Sequence, residues 1–472
     1  MNKPLVSIII VNYNGRYLLH DCLSSLEKTN FPKNKLEIIV VDNNSQDDSV
    51  TYIKRYFPQI KLVEVQENLG FTGGNNLGLK HAQGKYIALL NSDTRVTPNW
   101  LIQMLRSALD PKVGIIAPKL YYDLPFLELT IYSDVVNKSD LDDSADFSPL
   151  GTLVENIECK DSQFSNQVWY KSGFYKEKRG NVMTRWTKDI AKVLVPFSDK
   201  TRDEYTFTFH GYKASSNKNN LVKIKLGGKV ILETILKPSQ VKQRTIKINR
   251  HQAQPHFKYL IQNAGNIVLK DGRGKDRGSI LRIKDKVVYE FYDIDRPYYD
   301  KPQKLLAFCG AGCLIKKKVI DHVGFFDGFY FMYYEDLDLS LRAWKNGWDI
   351  VYAPKAVVYH KHRATTGSSD SGFFINLIER NHLSFVLTHF PLQTFIVQFI
   401  LFLVRTFISH VKAFLFRFTD NLKTAIYWEK RVEARNKALK FIIFNFMRIY
   451  KKRLFWEKRE VRTYNQMKKL LY

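Results

Sequence analysis

The alternation of short apolar runs with amphipathic stretches over the first 120 residues most limits what this chain can become. Residues 5–11 are apolar but for Ser7, as a strand covered on both faces requires. Residues 17–28 follow with Leu18, Leu19, Cys22, Leu23 and Leu26 at helical spacing. The pattern repeats: strand 36–41, helix 47–56 stopped by Phe57-Pro58, strand 60–65, helix 73–82 and strand 86–90. A helix opened by Pro98 runs through Leu109, and strand 113–117 closes the series. This order predicts an open α/β sheet.

Near Tyr122 the alternation stops. Residues 135–258 carry no helical period but show short alternating strands at 205–209, 221–226 and 230–232. Turn clusters such as Ser215-Ser216-Asn217 and Gly227-Gly228 separate them. The expectation is a β-sandwich-like module inserted into the α/β domain. After the tight loop 271–278 the α/β character returns at Leu305, with a helix over 333–346 and a strand over 350–352. From Phe373 the chain reads as helical. The expected division is 1–134, 135–258, 259–390 and 391–472.

The net charge is +27, and residues 392–472 hold 18 Lys and Arg against 5 Asp and Glu, so about half the excess lies there. Residues 395–404 are strongly apolar but too short, bounded by Arg405, to span a membrane. Basic helices lying on an anionic membrane and a soluble helical subdomain both fit this segment. The four cysteines form no CxxC pair and read as reduced, buried residues. The N-terminus reads as a strand rather than a signal peptide, so the expected compartment is the cytoplasm.

In an open α/β sheet ligands bind at the carboxyl ends of the strands. Polar residues gather there: Asn12-Tyr13-Asn14 after the first strand, Asp42 at the end of the second, Asn68 and Gly70 after the third, Asn91-Ser92-Asp93 after the fourth. Asp42 can accept hydrogen bonds from a base or ribose, or cap the next helix. Gly73-Gly74 opens a helix whose amides can face an anion. Asp93 offers a hard oxygen to Mg²⁺ or Mn²⁺ bridging a diphosphate. No GxGxxG follows the first strand, which counts against a nicotinamide dehydrogenase. Far along the chain, Glu335, Asp336 and Asp338 open a helix, where acids serve either the helix dipole or a proton transfer. His360 follows a strand and suits a metal or a phosphate.

These segments together resemble family 2 glycosyltransferases, especially the bacterial rhamnosyltransferase-like branch. The resemblance rests on VSIIIVNYNG (6–15), EIIVVDNNSQDDS (37–49), ENLGFTGGNNLGL (67–79), YIALLNSDTRV (86–96), CGAGCLIKKKVIDHVGFFD (309–327), YYEDLDLSLR (333–342) and APKAVVYHKH (353–362). It implies a GT-A fold and an inverting transfer of a hexosyl group from a nucleoside-diphosphate sugar to a glycan or lipid-linked glycan in cell-surface polysaccharide synthesis. It implies a nucleotide-sugar-binding set of Val11, Asn12, Tyr13, Asn14, Asp42, Asn44, Asn68, Gly70, Gly74, Asn75, Asn91 and Ser92. Asp93 and His360 would hold Mg²⁺ or Mn²⁺, Asp336 would be the catalytic base with Glu335 beside it, and 310–313 would lie near the acceptor. The metal motif departs from the family's paired aspartates, being Asn91-Ser92-Asp93. The expected partners include an anionic membrane at the inner face of the cytoplasmic membrane, and no nucleic acid. The insert, through Trp169-Tyr170, Gly173-Phe174-Tyr175, Glu177 and Arg185-Trp186-Thr187, resembles carbohydrate-binding modules. The competing expectations are a non-catalytic glycan-binding protein on a transferase scaffold and a nucleotidyltransferase.

Overall fold

The structure is a computed structural model that describes residues 4–138, 148–159, 168–179, 182–198, 202–212, 218–284, 287–361, 371–418 and 422–472. The chain forms two compact units, Met1–Asp123 with Ile261–Tyr472, and Leu124–Leu260.

The first unit opens with the predicted alternation: β1 (Val6–Asn12), α1 (Arg16–Glu27), β2 (Leu36–Asp42), α2 (Ser49–Tyr56), β3 (Lys61–Glu64), α3 (Gly70–His81), β4 (Tyr86–Leu90), β5 (Thr94–Val96), α4 (Trp100–Ser107) and β6 (Val113–Tyr122). The five residues placed on one face of α1 are all buried. β1 pairs in parallel with both β2 and β4, and β2 with β3. The short strand β5 escapes a periodicity reading because three residues carry no period.

The sequence order hides one strand of the sheet. β7 (Gly312–Lys316) lies antiparallel between β4 and β6, with Gly312 opposite Leu90 and Leu314 opposite Ile116. β4 and β6 are therefore not neighbours, and residues some 200 apart share one core. β8 (Asp349–His360) runs parallel to β6 and, at its end, antiparallel to β5, with His360 opposite Thr94. On this frame lie α5 (Lys317–Val323) and α6 (Glu335–Lys345).

The C-terminal residues form α7 (Gly372–His389), α8 (Leu392–Phe416) and α9 (Leu422–Glu457). They are not a separate region starting at 391. Phe395, Phe402, Ala438, Ile442, Ile449 and Met467 share a core with Leu337, Leu341 and Trp344 of α6. The apolar segment is also longer than expected. α8 continues through Arg405 for 25 residues, long and apolar enough by length and composition to cross a membrane. Its outer face, with Ile400, Phe407 and Phe414, is exposed.

The second unit starts at Leu124, eleven residues before the expected 135, because Phe126–Ser133 is a central strand of it. That strand pairs with both Val182–Pro196 and Asn220–Leu226. Val182–Pro196 pairs with Leu153–Cys159 through residues 185–186 and with Phe126–Ser133 through 190–196, which makes the antiparallel strand order continuous. Leu129, Val193, Phe207, Ile224 and Ile246 point into one core. Trp186 lies in a smaller cluster with Leu153 and Tyr212, and is buried. The turn Ser215-Ser216-Asn217 lies outside the described residues.

Candidate active site

A cavity of about 620 Å³ opens in the α/β unit, and its wall brings together residues from both halves of the sequence. Asn91 and Asp93 come from the end of β4, His360 from the end of β8, Cys309 to Ala311 from the approach to β7, and Glu335 and Asp336 from the start of α6. The remaining sequence-predicted residues do not line this cavity.

Four of those residues, Asn12, Asn14, Asp42 and Asn44, form a network of their own where β1 and β2 end. Asn12 Nδ2 donates to Asp42 Oδ2 at 2.9 Å and to Ser45 Oγ at 3.2 Å. Asp42 also accepts from the Ser45 backbone and hydroxyl, at 2.9 and 2.7 Å. Asn14 Oδ1 accepts from the Gln46 amide at 2.7 Å, and Asn44 holds a left-handed φ of 62°. Tyr13 is exposed beside this turn. Asn68 Oδ1 accepts from the Gly70 amide at 2.9 Å, and Thr72 N donates to Phe331 O at 3.1 Å. The Gly70 and Thr72 amides at the start of α3 are thus engaged by protein.

Gly74 corrects an expectation. The helix begins at Gly70, not at Gly73, so Gly74 sits in its second turn and is buried. A Cβ there would lie 2.8 Å from Val11 Cγ1, so its role is close packing of α3 on β1 rather than an anion cradle. Asn75 is buried and donates to Phe71 O at 2.8 Å. Ser92 is buried.

Within the cavity, Asp93 Oδ1 lies 3.1 Å from His360 Nε2, and both side chains are under a tenth exposed. His360 Nδ1 meets Gln262 Oε1 at 3.1 Å, and Gln262 Nε2 donates to Asp276 Oδ2 at 3.2 Å. Asn263 Nδ2 donates to Asp276 Oδ1 and to Asn266 Oδ1, each at 2.7 Å. Asn266 Nδ2 in turn faces Asp336 Oδ2 at 3.4 Å. One polar chain thus runs from Asp93 to Asp336. The sequence reading missed its middle. The signal was Gln262-Asn263 within a strand whose four residues are all buried, where unpaired amides are costly.

Asp336 Oδ2 accepts from the Gly310 amide at 3.0 Å and Oδ1 from Leu337 N at 2.8 Å. Burial pushes its carboxyl up to about 6, against the pull of those amides. Burial, then the neighbouring Asp336 charge, pushes Glu335 well above the usual carboxylate range. Among the described residues, buried Glu335 Oε2 has no hydrogen-bond partner. Asp338 is different: its carboxylate pairs with Arg342 at 2.8 Å and with His389 and Lys452 at 2.9 Å. It is a packing residue of α6, and burial notwithstanding, Arg342 and Lys452 hold it well below the usual range.

The two residues before Glu335 are strained. Tyr333 and Tyr334 have φ of 69° and 73°, a region costing aromatic side chains on the order of 1–3 kcal/mol each. Arg273 and Lys275 also line the cavity and bring positive charge to it.

Among the described residues no cluster of three His, Cys, Asp or Glu side chains suits a metal. The protein offers two donors, Asp93 and His360. That set fits Mg²⁺ or Mn²⁺, which commonly takes one or two carboxylates and fills the rest with phosphate oxygens and water.

Comparison with known proteins agrees with the resemblance. Residues 7–179 match the model "Glycosyl transferase family 2", and residues 258–380 match "Glycosyltransferase like family 2". The putative glycosyltransferase EpsH of Bacillus subtilis is 35% identical over 112 residues, 23% of this chain and 32% of EpsH. The poly(ribitol-phosphate) β-N-acetylglucosaminyltransferase TarS of Staphylococcus aureus is 31% identical over 98 residues, 20% of this chain and 17% of TarS. This chain thus spans a third or less of those relatives. Among solved structures, the mannosyltransferase PcManGT of Pyrobaculum calidifontis, in complex with GDP-Man and Mn²⁺, is 11% identical with a TM-score of 0.37, covering 94% of this chain and 88% of that one. The two family models together take in more than half of the sequence, and the chain belongs to the family 2 glycosyltransferases, with a GT-A α/β unit.

Proposed function

We propose that this protein transfers a hexosyl group, with inversion, from a nucleoside-diphosphate sugar to a hydroxyl of a glycan or lipid-linked glycan in cell-surface polysaccharide synthesis. The observation that carries this reading is one cavity wall holding Asp336 together with Asp93 and His360, linked by the chain through Gln262 and Asn266. The nucleoside would occupy the β1–β2 end, where Asn12, Asp42 and Asn44 lie.

Asp336 would take the proton of the acceptor hydroxyl as its oxygen attacks the anomeric carbon and the bond to the diphosphate breaks. Single displacement inverts that carbon and releases a nucleoside diphosphate. A divalent ion held by Asp93 and His360 would stabilise the charge developing on that leaving group. The pushed-up carboxyl of Asp336 suits a base that must return its proton between turnovers.

Action at the inner face of the cytoplasmic membrane is supported by α8. Its apolar outer face stands beside a C-terminal stretch of strong positive charge, which an anionic leaflet attracts by about 1 kcal/mol per nearby cation.

The test is a screen of UDP-, dTDP- and GDP-hexoses with Mn²⁺ or Mg²⁺, scored by thermal stabilisation and donor hydrolysis. Release of a nucleoside diphosphate, abolished in Asp336→Asn with donor binding kept, supports the reading. Pyrophosphate release would point to a nucleotidyltransferase, and binding with no turnover to a glycan-binding protein.

A further inference from the structure

The left-handed pair Tyr333–Tyr334 sits immediately before the two carboxylates of the cavity wall. Aromatic residues do not hold that conformation unless their surroundings over-determine it. α7 supplies several of those surroundings. Asn381, fully buried on that helix, donates from Nδ2 to Met332 O and to Tyr333 O, each at 2.9 Å. Its Oδ1 accepts from Arg380 Nε at 3.2 Å, which fixes the amide's orientation. The Tyr334 ring packs on His382 and Phe385, and the Tyr333 ring meets Phe374 edge-on.

Both carbonyls that Asn381 engages belong to the turn. The turn in turn sets where α6 starts. Among the described residues, Glu335 Oε2 has no hydrogen-bond partner, Asp336 is held by backbone amides and Asn266, and no side-chain cation pairs with either. Their positions are therefore inherited from the backbone that precedes them.

We propose that Asn381 is a positioning residue for the catalytic carboxylate: by clamping the carbonyls of Met332 and Tyr333 it holds the left-handed turn that delivers Glu335 and Asp336 to the cavity. A side-chain amide is well suited to this. Its two N–H groups reach two successive carbonyls, where a hydroxyl reaches one and an aliphatic group none. This inference rests on the reading of Asp336 as the base.

The experiment compares full-length wild type, Asn381→Ala, Asn381→Ser and Asp336→Asn. Turnover is measured with the donor found in the screen, donor affinity by calorimetry, and amide hydrogen exchange at 333–337. Asn381→Ala is expected to lower kcat by about 10- to 100-fold, as a displacement of around 1 Å at a reacting group does, with donor affinity within about twofold of wild type. Exchange at 335–337 speeds up while β1 stays protected. Asn381→Ser, which keeps one donor, falls between. Adding Tyr333→Gly to Asn381→Ala recovers part of kcat, because glycine holds a positive φ without strain. Wild-type kcat and exchange in both variants, with Asp336→Asn inactive, overturns the proposal and leaves the base intact. If Asp336→Asn keeps full turnover, the reading of the base falls instead. If Asn381→Ala unfolds, Asn381→Ser and the glycine rescue decide: loss of protection across the whole sheet, without rescue, marks Asn381 as a core residue only and overturns the proposal.

Discussion

His360 Nδ1 meets Gln262 Oε1 at 3.1 Å, and through that contact the Asp93–His360 pair and the Asp336 carboxylate belong to one hydrogen-bonded chain. Gln262 spends its amide N–H on Asp276, so its oxygen is the group that faces the imidazole. His360 Nδ1 is then the donor, and Nε2 is turned to Asp93. Gln262→Leu is expected to weaken Mn²⁺ binding by about 10- to 100-fold, the usual cost of losing a partner behind a metal-binding imidazole. Calorimetry with UDP present reads this directly; equal affinity in the variant contradicts it.

Asp93→Asn and His360→Ala remove the two protein donors. Each is expected to abolish detectable Mn²⁺ binding at micromolar concentration, measured by electron paramagnetic resonance. Thermal stability without metal should change little for Asp93→Asn, which keeps the side chain's shape.

Asp336 is ionised only above its raised value of about 6. Activity should therefore rise through an acidic limb near pH 6 and level off above it. The folded state binds this proton more tightly than the unfolded chain, whose carboxyl titrates near 3.8. Stability from this group is thus greatest below about pH 4 and declines up to about pH 6. Asp336→Asn should be no less stable than wild type at pH 8 while losing turnover by at least about 10³-fold, a contrast that differential scanning calorimetry and a donor assay establish together.

Asp338 has the opposite sign. Arg342, Lys452 and His389 hold it ionised in the folded state. Its contribution is present above about pH 4, where the unfolded carboxyl is ionised, and is lost on further acidification. Asp338→Ala leaves the buried Arg342 guanidinium without its carboxylate and should cost about 3–5 kcal/mol in urea unfolding. A cost under 1 kcal/mol would count against the network.

Phe407→Asp with Phe414→Asp should release the protein from anionic vesicles in a flotation assay while leaving soluble-donor hydrolysis intact. Both rings are exposed on α8, so the folded core does not need them.

Much of this was legible from local pattern. Buried helix positions such as Leu19 and Cys22, the strand β4 and the acids opening α6 follow from periodicity and end signals, which neighbouring residues carry between them. The polar strand ends and the Glu335-Asp336 pair were likewise visible as residues, and the motifs around them carry the resemblance to family 2 glycosyltransferases that the family models match. What local pattern could not carry was pairing across the chain. The insertion of β7 between β4 and β6, the start of the second unit at Leu124 and the packing of α8 and α9 on α6 depend on which distant surface each element covers. The roles of Gly74, Gln262 and Asn381 were hidden for the same reason. A glycine reads as a turn until its neighbour Val11 is known, and a buried amide reads as an anomaly until its partners, Asp276 and His360 or Met332 and Tyr333, are in place. Sequence set the elements and the chemical groups; tertiary structure chose their partners, because burial makes each polar group's hydrogen bonds a property of the whole fold.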